Sequence, residues 1–241
     1  MNQLPFTALL NQVFGGVANA LLNALHIQHN AAAPINNAVA MQVLVFLILL
    51  LTFIILRTRI SVDNPGGLQH LFESMHEFVN GQSREIIGHH YKPYTPYLVT
   101  LGLFILTSNL IGLIPSLEAP TAVPVVPLGC AVVTWFYYHV QGLKSHGPAY
   151  FKHFMGPVWW LAPLMVPIEV FSHLARMLSL TVRLYANMFA GDMVTLVFFS
   201  LMPIGVPIIF MGLHIGVAFI QTFIFVLLAT VYIGEATAHE H

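Results

Sequence analysis

Charge is what these 241 residues have least of. Eight Lys and Arg with nine Asp and Glu make up 7% of the chain, where a soluble domain carries roughly a quarter. The formal net charge of −1 and the lack of any Lys or Arg run exclude a nucleic-acid-binding surface, so no nucleic acid is expected as a partner. Cysteine is nearly missing as well. Cys130 stands alone, which rules out an internal disulfide, and no CxxC or clustered Cys and His pattern offers a metal site. No GxxxxGK[ST] loop is present to cradle nucleotide phosphates, and no cofactor is expected. No Lys or Arg precedes Arg57. The positive stretch of a secretory signal is therefore absent, "AAAP" at 31–34 makes a poor cleavage site, and the N-terminal segment is expected to be retained.

What fills the chain instead is apolar. Hydrophobic residues account for 57% and the mean hydropathy is +0.79, which predicts an all-α integral membrane protein surrounded by lipid. A helix crosses a hydrocarbon core of about 30 Å with roughly 20 apolar residues and satisfies its own backbone while doing so. Spans are predicted at about 38–57, 97–115, 122–142, 167–200 and 207–235, about five membrane helices that make 38–241 a single membrane domain. In the segment 1–37, Phe6, Leu9, Leu10, Val13, Phe14, Val17, Leu21 and Leu25 recur at helical spacing, which predicts a short amphipathic helix on the outer membrane face. Between the first two spans, Asn64 and Pro65 form a cap and first-turn signal for an interfacial amphipathic helix over 65–88. Its apolar face carries Leu68, Leu71, Phe72, Met75, Phe78, Val79, Ile86 and Ile87; His70, Glu73, His76, Glu77, Arg84 and Glu85 form a solvated face with no chemistry assigned.

Pro157, Pro163 and Pro167 break the start of the next apolar stretch, so its main helix is expected from 167 to about 200. That is about 50 Å of helix, and the turn-prone "MPIGVP" at 202–207 sends the chain back through the last one. Upright helices of this length would push apolar residues out of the lipid, so the last two are predicted as a long, strongly tilted antiparallel hairpin. Arg57, Arg59, Arg84, Lys92, Lys144 and Lys152 all fall on one side of the alternating topology, whereas the opposite loops at 115–121 and 200–206 hold only Glu118. The positive-inside rule then puts the N-terminus outside and the C-terminal "AHEH" in the cytoplasm.

Two basic residues are left inside the long helix, Arg176 and Arg183, where a charge costs a few kcal/mol. Glu169, His173, Arg176, Arg183 and Asn187 fall on one helical stripe, and the last helix carries His214 and Gln221 seven apart. For a turn near Pro203, Asp192 and His214 are each eleven residues away, so they should meet as a titratable pair about 13.5 Å along the helix from Arg183. Arg183 has no acid three or four residues away, and its partner must come from elsewhere. Glu169 could instead form a structural ion pair with Arg176 or His173, so two readings of that cluster stay open. Thr107, Ser108, Asn109 and Thr134 taken alone read as polar bridges between helices, and His139, near a helix end, as interfacial.

At "ARMLSLTVRLYANMFAGD" followed by "HIGVAFIQTFIFVLLATVYI", the chain resembles subunit a of F-type ATP synthases. Arg183, Leu184, Asn187, Ala190, Gly191 and Asp192 occupy that family's R-L-x-x-N-x-x-A-G-[ED] core, and Gln221 matches its final-helix glutamine. The likeness extends to Asn109 with "LIGLIP", to "APTAVP" and to "YYHVQGLKSHGPAYFKHF", and is weakest before residue 38. The chain departs from it at Asp192, often Glu; at Tyr185 and Ala186, often Phe-Gly; at Met177, often Pro; and at Gly112, where an acid is frequent.

The resemblance implies a stator, not an enzyme by itself, that passes protons to and from carboxylates on a rotating ring of c subunits. Asp192, His214, Asn187, Gln221 and Asn109 would line an outer half-channel, and Glu169, His173 and Arg176 a cytoplasmic one. Arg183, as the essential charge facing each ring carboxylate, would keep the two apart and favour carboxylate ionisation. Peripheral-stalk b subunits and the rest of the synthase would be the other partners, in the bacterial inner membrane. A proton-coupled secondary transporter is the rival reading, since intramembrane Arg, His and Glu suit it too, although no internal repeat is visible. A purely structural membrane subunit would need no matched polar rows.

Overall fold

The computed structural model describes residues 4–24, 26, 30, 33–61, 66–88, 90–114, 117–147, 150, 159–201 and 205–238. These residues form an all-helical protein: α1 (Pro5–Ala24), α2 (Asn37–Arg59), α3 (Gly67–Ile87), α4 (Thr95–Ile111), α5 (Val125–His146), α6 (Ala162–Leu201) and α7 (Val206–Thr237), with 3-10 turns at Pro120–Ala122 and Trp159–Leu161. The helix α2, the helix α6 and Ile208–Thr237 of α7 are long and apolar enough to cross a membrane. Helix α4 is apolar but has 17 residues, and the 22 of α5 include Trp135, Tyr137, Tyr138 and His139, which dilute its apolar character. The expected start at Asn64 and Pro65, Lys152, Pro157, the centre of the 202–207 turn and the residues 239–241 lie outside the described residues.

Local chemistry explains the helix ends. The Asn36 side chain caps α2 by accepting the Val39 N–H at 2.9 Å, and Arg57 and Arg59 complement the dipole at its C-terminal turn. Helix α6 begins at Ala162, five residues ahead of the expected Pro167. Pro163 lies in the first turn, where its missing N–H has no helical partner to lose; Pro167 forfeits one backbone bond without ending the helix. With 40 and 32 residues, α6 and α7 are about 60 and 48 Å long, well beyond a hydrocarbon core of about 30 Å.

The core lies where α4, α5, α6 and α7 meet, with Leu98, Ile105, Ala131, Leu184, Met188 and Ile233 among its buried side chains. Outside it the surface stays apolar: Phe46, Leu51, Ile54 and Ile55 of α2 and Leu178, Leu196 and Val197 of α6 are exposed. Lipid, or a partner protein packed against it, covers such a surface without penalty. Helix α3 rests on this bundle through buried Val79 and Ser83, and Phe72 packs against Phe53 of α2 at 5.4 Å between ring centroids. Its Gln69 bonds both backbone groups of Ser61. Helix α1 is tied to the approach to α2 by Asn11, whose amide bonds the Ile35 carbonyl and N–H at 3.0 and 2.9 Å. Leu9, Val13, Val17 and Leu21 are left exposed along it, the apolar stripe of an amphipathic helix.

Candidate functional site

Leu180, Leu184 and Met188 recur every four residues and bury one face of α6 in the bundle. Val182, Arg183, Ala186, Phe189 and Ala190 are exposed, so the guanidinium is on the surface of the subunit rather than within it. Among the described residues no carboxylate pairs with Arg183; Tyr232 of α7 lies within its electrostatic reach.

Nine residues further along α6, Asp192 meets His214 of α7, Oδ1 to Nε2 at 3.9 Å. His214 is only 4% exposed and its Nε2 has no hydrogen-bond partner, while the Asp192 side chain is 28% exposed. The separation is too long for a hydrogen bond and leaves the carboxylate and the imidazole facing across a gap. Gly191 creates the room for the ring: a Cβ there would lie 2.6 Å from His214 Nδ1 and 2.8 Å from Cε1. Nearby, fully buried Asn109 of α4 donates to the Ala218 carbonyl at 3.4 Å and to Thr222 Oγ1 at 3.3 Å, and accepts from the Thr121 hydroxyl at 2.7 Å.

Toward the other end of α6 stands a second polar group. His173 Nε2 is 3.3 Å from Glu169 Oε1, and His173 Nδ1 is 2.8 Å from the Tyr138 hydroxyl of α5. Arg176 is ion-paired with Glu235 of α7 and lies over the Tyr232 ring, 5.1 Å from its centroid. The His139 ring packs against those of Trp135 and His173, and its Nδ1 is 2.8 Å from the Tyr150 hydroxyl. Burial first, and the charge of Glu169 second, push the Tyr150 phenol up to about 12 against the pull of Arg176, so it stays neutral at working pH.

Residues 39–234 match the family described as ATP synthase A chain. The chain belongs to that family. It is 61% identical to the ATP synthase subunit a of Koribacter versatilis (strain Ellin345), over 100% of this chain and 99% of that one. It is 48% identical to the ATP synthase subunit a of Solibacter usitatus (strain Ellin6076), over 97% and 100% of the two chains. With the ATP synthase subunit a 2 of Syntrophotalea carbinolica the identity is 48% over 73% of this chain and 76% of the relative. As a subunit a, the protein is a proton-translocating component of the synthase's membrane sector and not its catalytic part.

For this subunit a, the structure joins Asp192 to His214, as counting from the turn anticipated, and Glu169 to His173. Asn187 and Gln221 are both half-buried on the facing helices, with no hydrogen bond between them. Arg176 pairs with Glu235, a residue that sequence reasoning passed over, and not with Glu169. Tyr138, Tyr150 and Tyr232 were missed as well, and His139, expected at an interface, belongs to the ring cluster around His173. The sequence signal for Tyr138 and His139 is the dense "WFYYH" within an otherwise apolar helix.

Proposed function

We propose that this chain is the stator of a rotary ATP synthase, feeding protons through two offset half-channels to carboxylates on a rotating c ring. The observation that carries the reading is Arg183: a charge exposed on an apolar helix face, with no carboxylate partner among the described residues and one polar group toward each end of α6. A lipid-facing charge without a partner costs a few kcal/mol, and a carboxylate on a neighbouring protein removes that cost.

A proton from outside enters past Asp192, His214, Asn187 and Gln221, beside the bridge made by Asn109, and neutralises a ring carboxylate. Neutralisation is what permits that carboxylate to rotate into lipid, since an ion there is strongly disfavoured. After most of a turn it returns to Arg183, whose charge favours the ionised form. The released proton leaves past Glu169, His173 and Arg176 into the cytoplasm. A guanidinium holds its own proton at any working pH, so Arg183 attracts each carboxylate without relaying protons and keeps the two paths apart. The membrane potential supplies about 2.3 kcal/mol per proton per 100 mV.

In this reading the lengths of α6 and α7 are accommodated by strong inclination across the ring surface. The N-terminus and α1 lie on the outer face, the C-terminus is cytoplasmic, and the peripheral-stalk b subunits hold the assembly in the bacterial inner membrane. The test is ATP-driven proton uptake by the whole synthase reconstituted with Arg183→Ala. Pumping is expected to vanish; full pumping by that variant would sink the proposal.

A further inference from the structure

The outer loop between α4 and α5 carries one charge, Glu118, and its position is fixed by packing. A Cβ on Gly112 would lie 2.6 Å from Ala119 Cβ and 3.0 Å from Ala119 N, so the loop sits directly on the end of α4. Ala119, Pro120 and Thr121 are buried, and the Thr121 hydroxyl is anchored 2.7 Å from Asn109 Oδ1. The Pro120–Ala122 turn packs against α2, α4, α5 and α6. Glu118 remains exposed on this rigid support, its Oε1 3.5 Å from Asn37 Nδ2 at the start of α2, and its charge reaches Asp192.

We infer that Glu118 is the outermost carboxylate of the inlet, a proton-collecting residue that hands protons from external water to Asp192. The inference rests on the proposed role of the Asp192–His214 pair. Exposure falls step by step from Glu118 on the surface, to Asp192 at 28%, to His214 at 4%. At the inner end, His214 Nε2 is aimed at Asp192 without a hydrogen-bond partner, which marks the interior terminus of the series. A fixed negative charge on a low-dielectric surface concentrates cations beside it. The carboxylate also binds a proton and releases it inward, returning to its ionised state with no net chemistry.

The experiment uses the complete synthase in liposomes, with passive proton influx measured after removal of the soluble sector and ATP-driven pumping measured before it. Glu118→Gln is expected to lower influx from the outer side about three- to tenfold, through loss of local concentration, and Glu118→Asp to restore most of it. Influx unchanged in Glu118→Gln while Asp192→Asn loses it overturns the role of Glu118 alone. Influx unchanged in both overturns the reading of the pair as well. A third variant separates charge from structure, with the reagent-treated parent synthase as its control, because this subunit's own Cys130 is buried. Glu118→Cys treated with a sulfonate-bearing thiol reagent should regain the part of the influx that a fixed negative charge supports by local concentration, and the same variant treated with a trimethylammonium-bearing reagent should regain none. Equal responses to the two reagents would reduce Glu118 to a packing residue.

Discussion

Arg176 of α6 and Glu235 of α7 form an ion pair across the end of the hairpin opposite the turn, with Tyr232 beneath the guanidinium. The pair joins two helix segments 59 residues apart in sequence, and it leaves Glu169 to His173. Its two charges should be exchangeable. Arg176→Glu alone is expected to impair ATP-driven pumping through like-charge repulsion, and Arg176→Glu with Glu235→Arg to recover it. Because the side chains are partly exposed, at 28% and 51%, simple neutralisation of either should cost at most about 1 kcal/mol. Acidification of vesicles containing each variant measures the pumping, and inactivation on heating measures the stability cost.

Gly191 tests whether the Asp192–His214 gap matters. Gly191→Ala puts a methyl group into the space held by the imidazole, a strain of roughly 1–3 kcal/mol if the ring does not move. The ring is expected to shift, and passive proton influx to fall about tenfold, the equivalent of roughly 1.4 kcal/mol in a barrier. The amount of subunit in the membrane should change far less. Equal losses of both would make the glycine a folding residue only.

The Asn109 bridge makes a separable claim about stability. Asn109→Ala leaves the fully buried Thr121 hydroxyl without its acceptor, a cost of about 1–3 kcal/mol. Thr222 also bonds the Ala218 carbonyl and is less affected. Adding Thr121→Val removes the orphaned group, so Asn109→Ala with Thr121→Val should resist heat inactivation better than Asn109→Ala alone.

Arg183→Lys preserves charge but replaces a group that holds its proton with one that releases it more readily when desolvated. The expected outcome is a proton leak: membranes that lose an imposed pH gradient faster than wild type even with the soluble sector bound. A tight membrane with normal pumping would mean that any cation suffices at position 183.

The helices were legible in the sequence because lipid imposes one rule on both composition and length. The Asp192–His214 meeting was legible because a hairpin preserves counting: both residues lie eleven positions from Pro203. The same counting misses Arg176 and Glu235, which lie 27 and 32 positions from that point. The offset of five residues, about 7.5 Å along a helix, is spanned by long side chains, which periodicity does not describe. The start of α6 was misplaced because proline reads as a stop, whereas this helix carries Pro167 in its second turn. The ring cluster of Tyr138, His139 and His173 depends on how α5 crosses α6, an angle that no linear pattern encodes.

The bareness of Arg183 bears on how the complex is built. Among the described residues no carboxylate faces the guanidinium, and a charge left so on an apolar helix in lipid costs a few kcal/mol, which the proposed ring carboxylate would remove. A copy of this chain without that proposed partner therefore carries a mark of its own incompleteness. In the proposed reading, the charge that acts on the partner carboxylate also favours this chain inserted beside that partner over the free subunit.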